Sequence, residues 1–240
     1  TPSTKEGNNN APLLHIIVQN LQKKPGLASK IIASTQPDVF LAQEINLESE
    51  KKASFPASNV SRLGYGTAIH AKTSSNLSNI RRISSPHPEH LRTIVKKTTI
   101  ATYNNATVGS SGGGGGGVEL VTFHGYNGWP RRDEVHKLVD HVNAVLAVVA
   151  KQGPAIFAGD FNAWTQKHLE AVGEVLSQAG FVLVYSWPYP GKQEHLVLDH
   201  AFVRDMRLVE ANTFENVSDH LGSSLLLEIM EETEGESSVL

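Results

Sequence analysis

The sequence predicts an α/β chain in which two β-sheets pack together with helices on the outside. Two observations carry that prediction. Short apolar runs, several rich in β-branched residues, recur from residue 13 to residue 229. Stretches with helical periodicity are few, too few to alternate with the strands as a doubly wound parallel sheet requires. A further pattern concerns chemistry: the polar residues best suited to it stand where apolar runs end.

Taken in order, residues 1–11 are polar and asparagine-rich and are expected to form a disordered leader. Residues 13–18 are the first strand. Residues 26–35, with Leu27, Ile31 and Ile32, predict a short helix that stops before Pro37. A second buried strand over 39–42 ends at Gln43-Glu44, and further strands are expected over 65–71 and 93–102. Ser110-Ser111 and the glycines of 112–117 lie between strand signals at 100–103 and 118–123. A phosphate-cradling loop would need a helix directly after it; a strand follows, so a flexible hairpin loop is expected. The clearest helix is 133–150, where Val135, Leu138, Val139, Val142, Leu146 and Val149 fall on one face. The apolar run 155–158 predicts a buried strand leading into Gly159-Asp160. A helix over 168–179 stops at Gly180. Strands over 199–203, 208–214 and 222–229 complete a single domain, 12–230, before an acidic tail, 231–240.

The chain has 240 residues, 40% of them hydrophobic and 19% charged, which is ordinary globular composition. Cysteine is absent, which excludes disulfides, a zinc–thiolate site and a cysteine nucleophile together. No apolar stretch approaches the roughly 20 residues of a membrane span. There is no basic-then-apolar segment at Thr1, and an opening Thr1-Pro2-Ser3 without methionine reads as a processed or trimmed start. The expectation is a soluble monomer of unassigned compartment. Net charge is −3, but five glutamates and no base follow Leu227, and setting them aside leaves the body at +2. So mild a charge neither demands nor excludes a phosphodiester polymer as partner.

Gly159-Asp160-Phe161-Asn162 is the most telling segment. In extended chain Asp160 and Asn162 share one side while Phe161 turns into packing. A carboxylate beside a carboxamide suits a phosphate, a metal-bound water or a nucleophilic water. Asn20, Glu44, His124, Asp199 and the pair Asp219-His220 likewise stand at the ends of apolar runs or in the loop beside one. Any one of these is more often a turn residue; their accumulation in one chain is the signal.

With Asn20, Gln43-Glu44, His124, Gly159-Asp160-Phe161-Asn162, Leu198-Asp199 and Ser218-Asp219-His220 in this order, the sequence resembles the endonuclease/exonuclease/phosphatase superfamily over roughly residues 13–230. The resemblance implies a deoxyribonuclease-like α/β fold: two packed, mostly antiparallel sheets flanked by helices, a four-layer β-sandwich. It also implies phosphoester hydrolysis with a divalent metal, Mg2+ or Mn2+, at one sheet edge. On that reading Glu44 and Asn20 hold the ion, with Asp219 as a further carboxylate ligand. Asp160 orients or deprotonates water, Asn162 holds a phosphate oxygen, and Asp199 orients His220 for phosphate binding or proton transfer. His124 protonates the leaving group or binds phosphate. Gln22 and Leu221-Gly222 depart from patterns common in the family; the first weakens any inference of a second metal.

Four residues are expected at the substrate. Tyr126 and Trp129, in the loop after His124, would stack a base or cover an apolar group; Arg131 would reach a phosphate. Trp187, in Trp187-Pro188-Tyr189-Pro190, belongs to a region that contacts substrate in several relatives. Loop packing is the alternative for the aromatics. Arg81, Arg82, Arg92, Lys96 and Lys97 form a basic region read as a solvated hairpin, with phosphate contact as the sharper alternative. The first functional reading is a nuclease, an endonuclease on DNA or RNA. The second is a phosphatase or phospholipase-type phosphodiesterase on a small or lipid substrate. The third is a scaffold of the same fold without catalysis.

Overall fold

The structure is a computed structural model that describes residues 12–50, 52–89, 94–104, 117–128, 133–190 and 197–230. Strand β1 (Leu13–Asn20) crosses through helix α1 (Leu27–Thr35) into β2 (Val39–Asn46), and the two strands pair in parallel. After β3 (Ala57–Val60), β4 (Tyr65–Ala71), β5 (Leu77–Pro88) and β6 (Val95–Tyr103), the same unit is built again. Strand β7 (Val118–His124) crosses through α2 (Val135–Leu146) into its parallel partner β8 (Ala155–Asp160). Helix α3 (Gln166–Gln178) and strands β9 (Val182–Trp187), β10 (Asp199–Arg204), β11 (Met206–Phe214) and β12 (Gly222–Ile229) follow. One six-stranded sheet runs β11-β12-β1-β2-β4-β3 and the other β5-β6-β7-β8-β10-β9; every pairing except the two parallel ones is antiparallel.

Alternation along the central strands makes the layers. Leu14, Ile16 and Val18 of β1, Val39 and Leu41 of β2, Leu120 of β7 and Ile156 and Ala158 of β8 fill the core between the sheets. Their neighbours face outward. Ile17, Phe40 and Ala42 pack with Leu27, Ala28 and Ile31 of α1; Val121, Phe123 and Phe157 pack with Leu138, Val142 and Val145 of α2 and Val172 and Leu176 of α3. Strands buried on both faces read as continuous apolar runs, which is why they are visible in the sequence. Each fully buried Phe or Leu in these layers stabilises the fold by roughly 1.5–3 kcal/mol relative to exposure. This is the expected α/β sandwich of two sheets with helices outside.

Three strands went unread: β3, β5 and β9, each at a sheet edge. Edge strands have one unpaired side and tolerate polar residues and proline. Strand β5 carries Arg81, Arg82, Pro86 and Pro88, and β9 leaves Val182 and Leu183 exposed, so neither shows a clean apolar pattern. Helix α2 is shorter than 133–150, and the final expected turn is not α-helix. Strands β6 and β7 pair as a hairpin with Tyr103 opposite Val118. The serine–glycine run at its tip falls on 105–116 and Gly117, of which only Gly117 is described; the leader and the acidic tail also lie outside the described residues. No helix among the described residues is long and apolar enough to cross a membrane.

Candidate active site

Two parallel pairs deliver their C-terminal ends to one rim of the sandwich. The inter-sheet face of β1 continues from Val18 to Asn20, that of β7 from Leu120 through Thr122 to His124, and that of β8 from Ala158 to Asp160. Strand β10 runs antiparallel to β8 and pairs Asp199 with Asp160, so it contributes from its first residue. Asn20, His124, Asp160 and Asp199, all buried, thus cap the core between the sheets. The β11–β12 loop is tied to the end of β1. Gln19 Nε2 donates to the His220 carbonyl (3.1 Å), Ser218 Oγ to the Asn20 carbonyl (2.7 Å), and Asn216 Nδ2 to Gln19 Oε1 (2.7 Å). A cavity of about 230 Å³ lies at this rim, and Asn20, Glu44, His124, Asp160, Asn162, Asp219 and His220 all line it.

Glu44 reaches the cavity by a different route. By parity with Phe40 and Ala42 it would face α1, yet β2 carries a bulge there: Gln43 and Glu44 stand against Thr67 alone, between the pairs Ala42–Ala68 and Ile45–Gly66. Glu44 itself has φ 49°, a left-handed conformation that costs a non-glycine residue about 1 kcal/mol or more. The bulge re-aims its side chain into the site. Gly159 shows the opposite constraint. At φ 141° a Cβ would stand 2.1 Å from the Phe123 carbonyl oxygen, so no larger residue fits between β7 and β8.

Asp160 is held through both oxygens. Asn20 Nδ2 donates to Oδ2 (3.0 Å) and the Asn162 N–H to Oδ1 (2.9 Å). Asn162 lines the cavity with Asp160 as expected, while Phe161 is buried in the outer core. The route differs from extended chain: Asn162 adopts φ 52°, and its own Nδ2 donates to the Gly125 carbonyl (3.1 Å). Burial pushes the Asp160 carboxyl up to about 6, the Asp199 charge adding to this against the opposing pull of His220 and Lys96. Across the cavity His220 Nδ1 donates to Asp199 Oδ2 (2.7 Å), and its Nε2 lies 3.8 Å from Asp160 Oδ2. Burial works against the imidazolium, but Asp199, Asp160 and Asp219 outweigh it and raise His220 to about 10. The ring of Tyr189 stands edge-on to His220 with centroids 4.8 Å apart, and its hydroxyl donates to Asp219 Oδ2 (3.4 Å).

His124 is the electrostatic opposite of His220. Lys96 Nζ lies 2.6 Å from its Nε2. An ammonium only donates, so that nitrogen is the acceptor and carries no proton. Burial, with the charges of Lys96 and His220 added, holds His124 well below the ordinary histidine range. Its 3.7 Å approaches to Glu44 Oε1 and Asp160 Oδ2 are therefore contacts of a neutral ring, not ion pairs.

The oxygens on the Asn20–Glu44 side suit a hard cation. The Glu44 carboxylate has His124, Lys23 and Lys96 at 3.7, 3.7 and 3.8 Å, none within hydrogen-bond distance, so its lone pairs are open. Asp219 Oδ1 is buried without a partner among the described residues. Asn20 Oδ1 accepts the Gln22 N–H (3.0 Å), which also fixes the amide's orientation. No three acidic or histidine side chains among the described residues converge into a cage. The donor set fits an ion that keeps most of its water, as magnesium does.

Two expected substrate residues are elsewhere. Tyr126 is buried, packs in the α2 core and donates its hydroxyl to Glu134 Oε2 (2.8 Å). Trp187 is buried between the sheets and donates Nε1 to the Leu221 carbonyl (3.2 Å). Neither lines the cavity; their burial fits the packing alternative, with the rings filling the core beneath loops rich in glycine and proline. Trp129 and Arg131 lie outside the described residues. Tyr189, two residues after Trp187, lines the cavity instead, as do Lys96, Asn127 and Trp164, none singled out from the sequence as a site residue. Of the described residues of the basic region, Arg81 pairs with Glu119, Arg82 donates to the Ser58 carbonyl, Lys97 donates to Ser84 Oγ and Lys96 lines the cavity; Arg92 lies outside the described residues.

The four-layer sandwich thus carries carboxylates, carboxamides and a charged His–Asp pair at one rim. A family model described as Endonuclease/Exonuclease/phosphatase family matches residues 18–220, and the chain belongs to that family. Among curated proteins it is similar to a UPF0294 protein of Vibrio vulnificus strain YJ016, 37% identical over 90 residues, 36% of this chain and 32% of the relative. The chain thus matches about a third of that relative's length. Among solved structures it resembles an endonuclease/exonuclease/phosphatase from Beutenbergia cavernae (TM-score 0.67, 14% identity, 91% of this chain and 72% of the other). It also resembles D. rerio TDP2 complexed with a single-strand DNA product (0.66, 20%, 90% and 99%) and sphingomyelinase C from Streptomyces griseocarneus (0.60, 13%, 91% and 99%). At these identities the structural likeness establishes the fold alone.

Proposed function

We propose that the protein is a divalent-metal-dependent phosphodiester hydrolase that acts as a nuclease on DNA or RNA. The observation that carries this reading is the two-point grip of Asn20 and the Asn162 N–H on Asp160, facing the His220–Asp199 pair. A carboxyl raised to about 6 is matched to general-base work near neutral pH. Asp160 takes a proton from water as the water attacks phosphorus and the bond from phosphorus to the leaving oxygen breaks, the released alkoxide taking its proton from solvent. His220, held as imidazolium by Asp199, donates from Nε2 to a phosphoryl oxygen as negative charge grows there. Asn162 orients the same group, its Oδ1 and second N–H remaining available. Asn20, Glu44 and Asp219 would hold Mg2+ or Mn2+, which supplies Lewis-acid stabilisation of charge on the phosphoryl and leaving oxygens.

A nucleic-acid substrate is favoured by the lysines at the rim: Lys23, Lys96 and Lys97 border a second cavity that shares Glu44, Lys96 and His124 with the first. One observation favours a second reading, a phosphodiesterase for lipids: Leu63, 62% exposed, and Ile94 present apolar surface at that same cavity. Incubation with plasmid, single-stranded DNA, RNA, a phosphoinositide and sphingomyelin, with magnesium and then with chelator, separates them. Chelator-sensitive cleavage of nucleic acid supports the first reading, and cleavage confined to a lipid replaces it with the second. Hydrolysis of none, by folded protein, overturns both.

A further inference from the structure

Lys96, which belongs to the basic region for which phosphate contact is one alternative, has no role in the catalytic assignments above. Its side chain is only 12% exposed. Burying an ammonium is costly unless charge and hydrogen bonds compensate. Here Glu89 Oε1 lies 3.2 Å away, Glu44 Oε1 3.8 Å away, and one N–H is given to His124 Nε2 at 2.6 Å. Those contacts fix where the ammonium sits: one N–H is given to His124 and a second can point to Glu89 Oε1, which leaves the third without an acceptor among the described residues.

Its place in the fold gives that N–H a direction. The cavity containing Asp160 and His220 adjoins a second one, of about 280 Å³, walled in part by Leu63, Tyr65, Ile94 and Val95. Among the described residues, only Glu44, Lys96 and His124 line both. Glu44 is an anion, and His124 Nε2 is already an acceptor, so Lys96 is the one cation of the three at the junction. An anionic phosphate placed there has space for an organic group on each side, one toward His220 and one toward the apolar wall.

Resting on the phosphodiesterase reading, we propose that Lys96 is a catalytic residue that binds a non-bridging oxygen of the substrate phosphate at this junction. In this arrangement His124 and Glu89 position the ammonium, and His124 acts as acceptor to Lys96 without giving a proton to the leaving group.

The test uses the whole chain with magnesium and bis(p-nitrophenyl) phosphate, alongside calorimetric titration with inorganic phosphate. Lys96→Ala is expected to lower kcat/KM by about 10²-fold or more, as loss of a preorganised donor does. Lys96→Arg should retain part of the activity, and methylammonium should restore Lys96→Ala in proportion to its concentration. Phosphate affinity should fall at least about 10-fold in Lys96→Ala and remain unchanged in Lys30→Ala, which removes an exposed lysine on α1. Thermal melts confirm folding, and Lys96→Arg serves where alanine does not fold. A Lys96→Ala enzyme within threefold of wild type overturns the proposal, as does a loss that methylammonium does not rescue with phosphate affinity intact. If wild type hydrolyses nothing, the phosphodiesterase reading fails, and the phosphate titration by itself decides whether Lys96 is an anion ligand.

Discussion

Asp160 and Glu44 come from units built alike, each on the second strand of a parallel β–α–β pair, yet they are held in opposite ways. Asp160 follows the alternation of its strand into the site, is 4% exposed in its side chain, and has a hydrogen bond on each oxygen. Glu44 breaks the alternation through a bulge, is 21% exposed, and has cations and a neutral ring near it without one hydrogen bond to its carboxylate. A carboxylate gripped at both oxygens keeps one orientation and suits directional proton transfer. A carboxylate with open lone pairs and strained backbone suits an exchangeable ion. The difference divides the rim into a locked half and an open half, which on the proposed function handle water and the cation respectively.

The sharpest way to break that division is to disable the locked half. Asp160→Ala and His220→Ala are each expected to lower turnover by roughly 10²–10⁴-fold, to loss in practice, while the domain still melts cooperatively. Wild-type rates from either, measured on whichever phosphodiester proves to be a substrate, would remove the proposed roles. The open half should behave otherwise. Glu44→Gly is expected to lose activity yet melt at or above the wild-type temperature, because glycine adopts φ 49° freely. A clear fall in melting temperature would show that Glu44 stabilises the fold and is not held there at the fold's expense.

Acid sharpens the contrast between the site and the core behind it. Burial lowers His141 to about 3 and His200 to about 4. In the unfolded chain both take up a proton below about 6.5, whereas the folded protein resists until the lowered values, so the unfolded state binds more protons in between. The contribution of these two histidines is therefore complete above about pH 6.5 and declines as pH falls toward 4. At pH 5 the loss is at most about 2 kcal/mol for each histidine. His220 and Asp160, both raised, oppose this loss, so the check is comparative: the fall in denaturant midpoint from pH 7.5 to pH 5 should be smaller in His141→Gln than in wild type. The smallest effect is expected at Tyr126→Phe, which removes the hydroxyl bonded to Glu134. It should cost about 1 kcal/mol and leave kcat/KM within twofold. A large fall in kcat/KM with stability intact would return Tyr126 to the substrate.

Much of this was legible in the sequence because it depends on local signals. Strands β1, β2, β7 and β8 are buried on both faces, so their apolar runs stand out, and the polar residues at their ends mark the rim. The edge strands β3, β5 and β9 were not legible, since exposure on one side erases the pattern. Asn20, Asp160, His124 and Asp199 could be placed by strand-end position alone. Glu44 lines the cavity, but the bulge that turns it inward depends on its pairing with β4, which no local signal records. Lys96 looked like a solvated hairpin lysine because nothing local records that β6 lies beside His124. Tyr126 and Trp187 misled for a related reason: glycine and proline around an aromatic mark a loop, not the direction in which the ring points.

The division into two halves is tested most directly by the magnesium dependence of bis(p-nitrophenyl) phosphate hydrolysis in wild type, Glu44→Gln and Asp160→Asn. The account predicts that Glu44→Gln raises the half-saturating magnesium concentration by about 10-fold or more, with rate recovered at high metal. Asp160→Asn should stay inactive at every concentration. An unchanged magnesium requirement in Glu44→Gln, or a rate restored to Asp160→Asn by added metal, would contradict it.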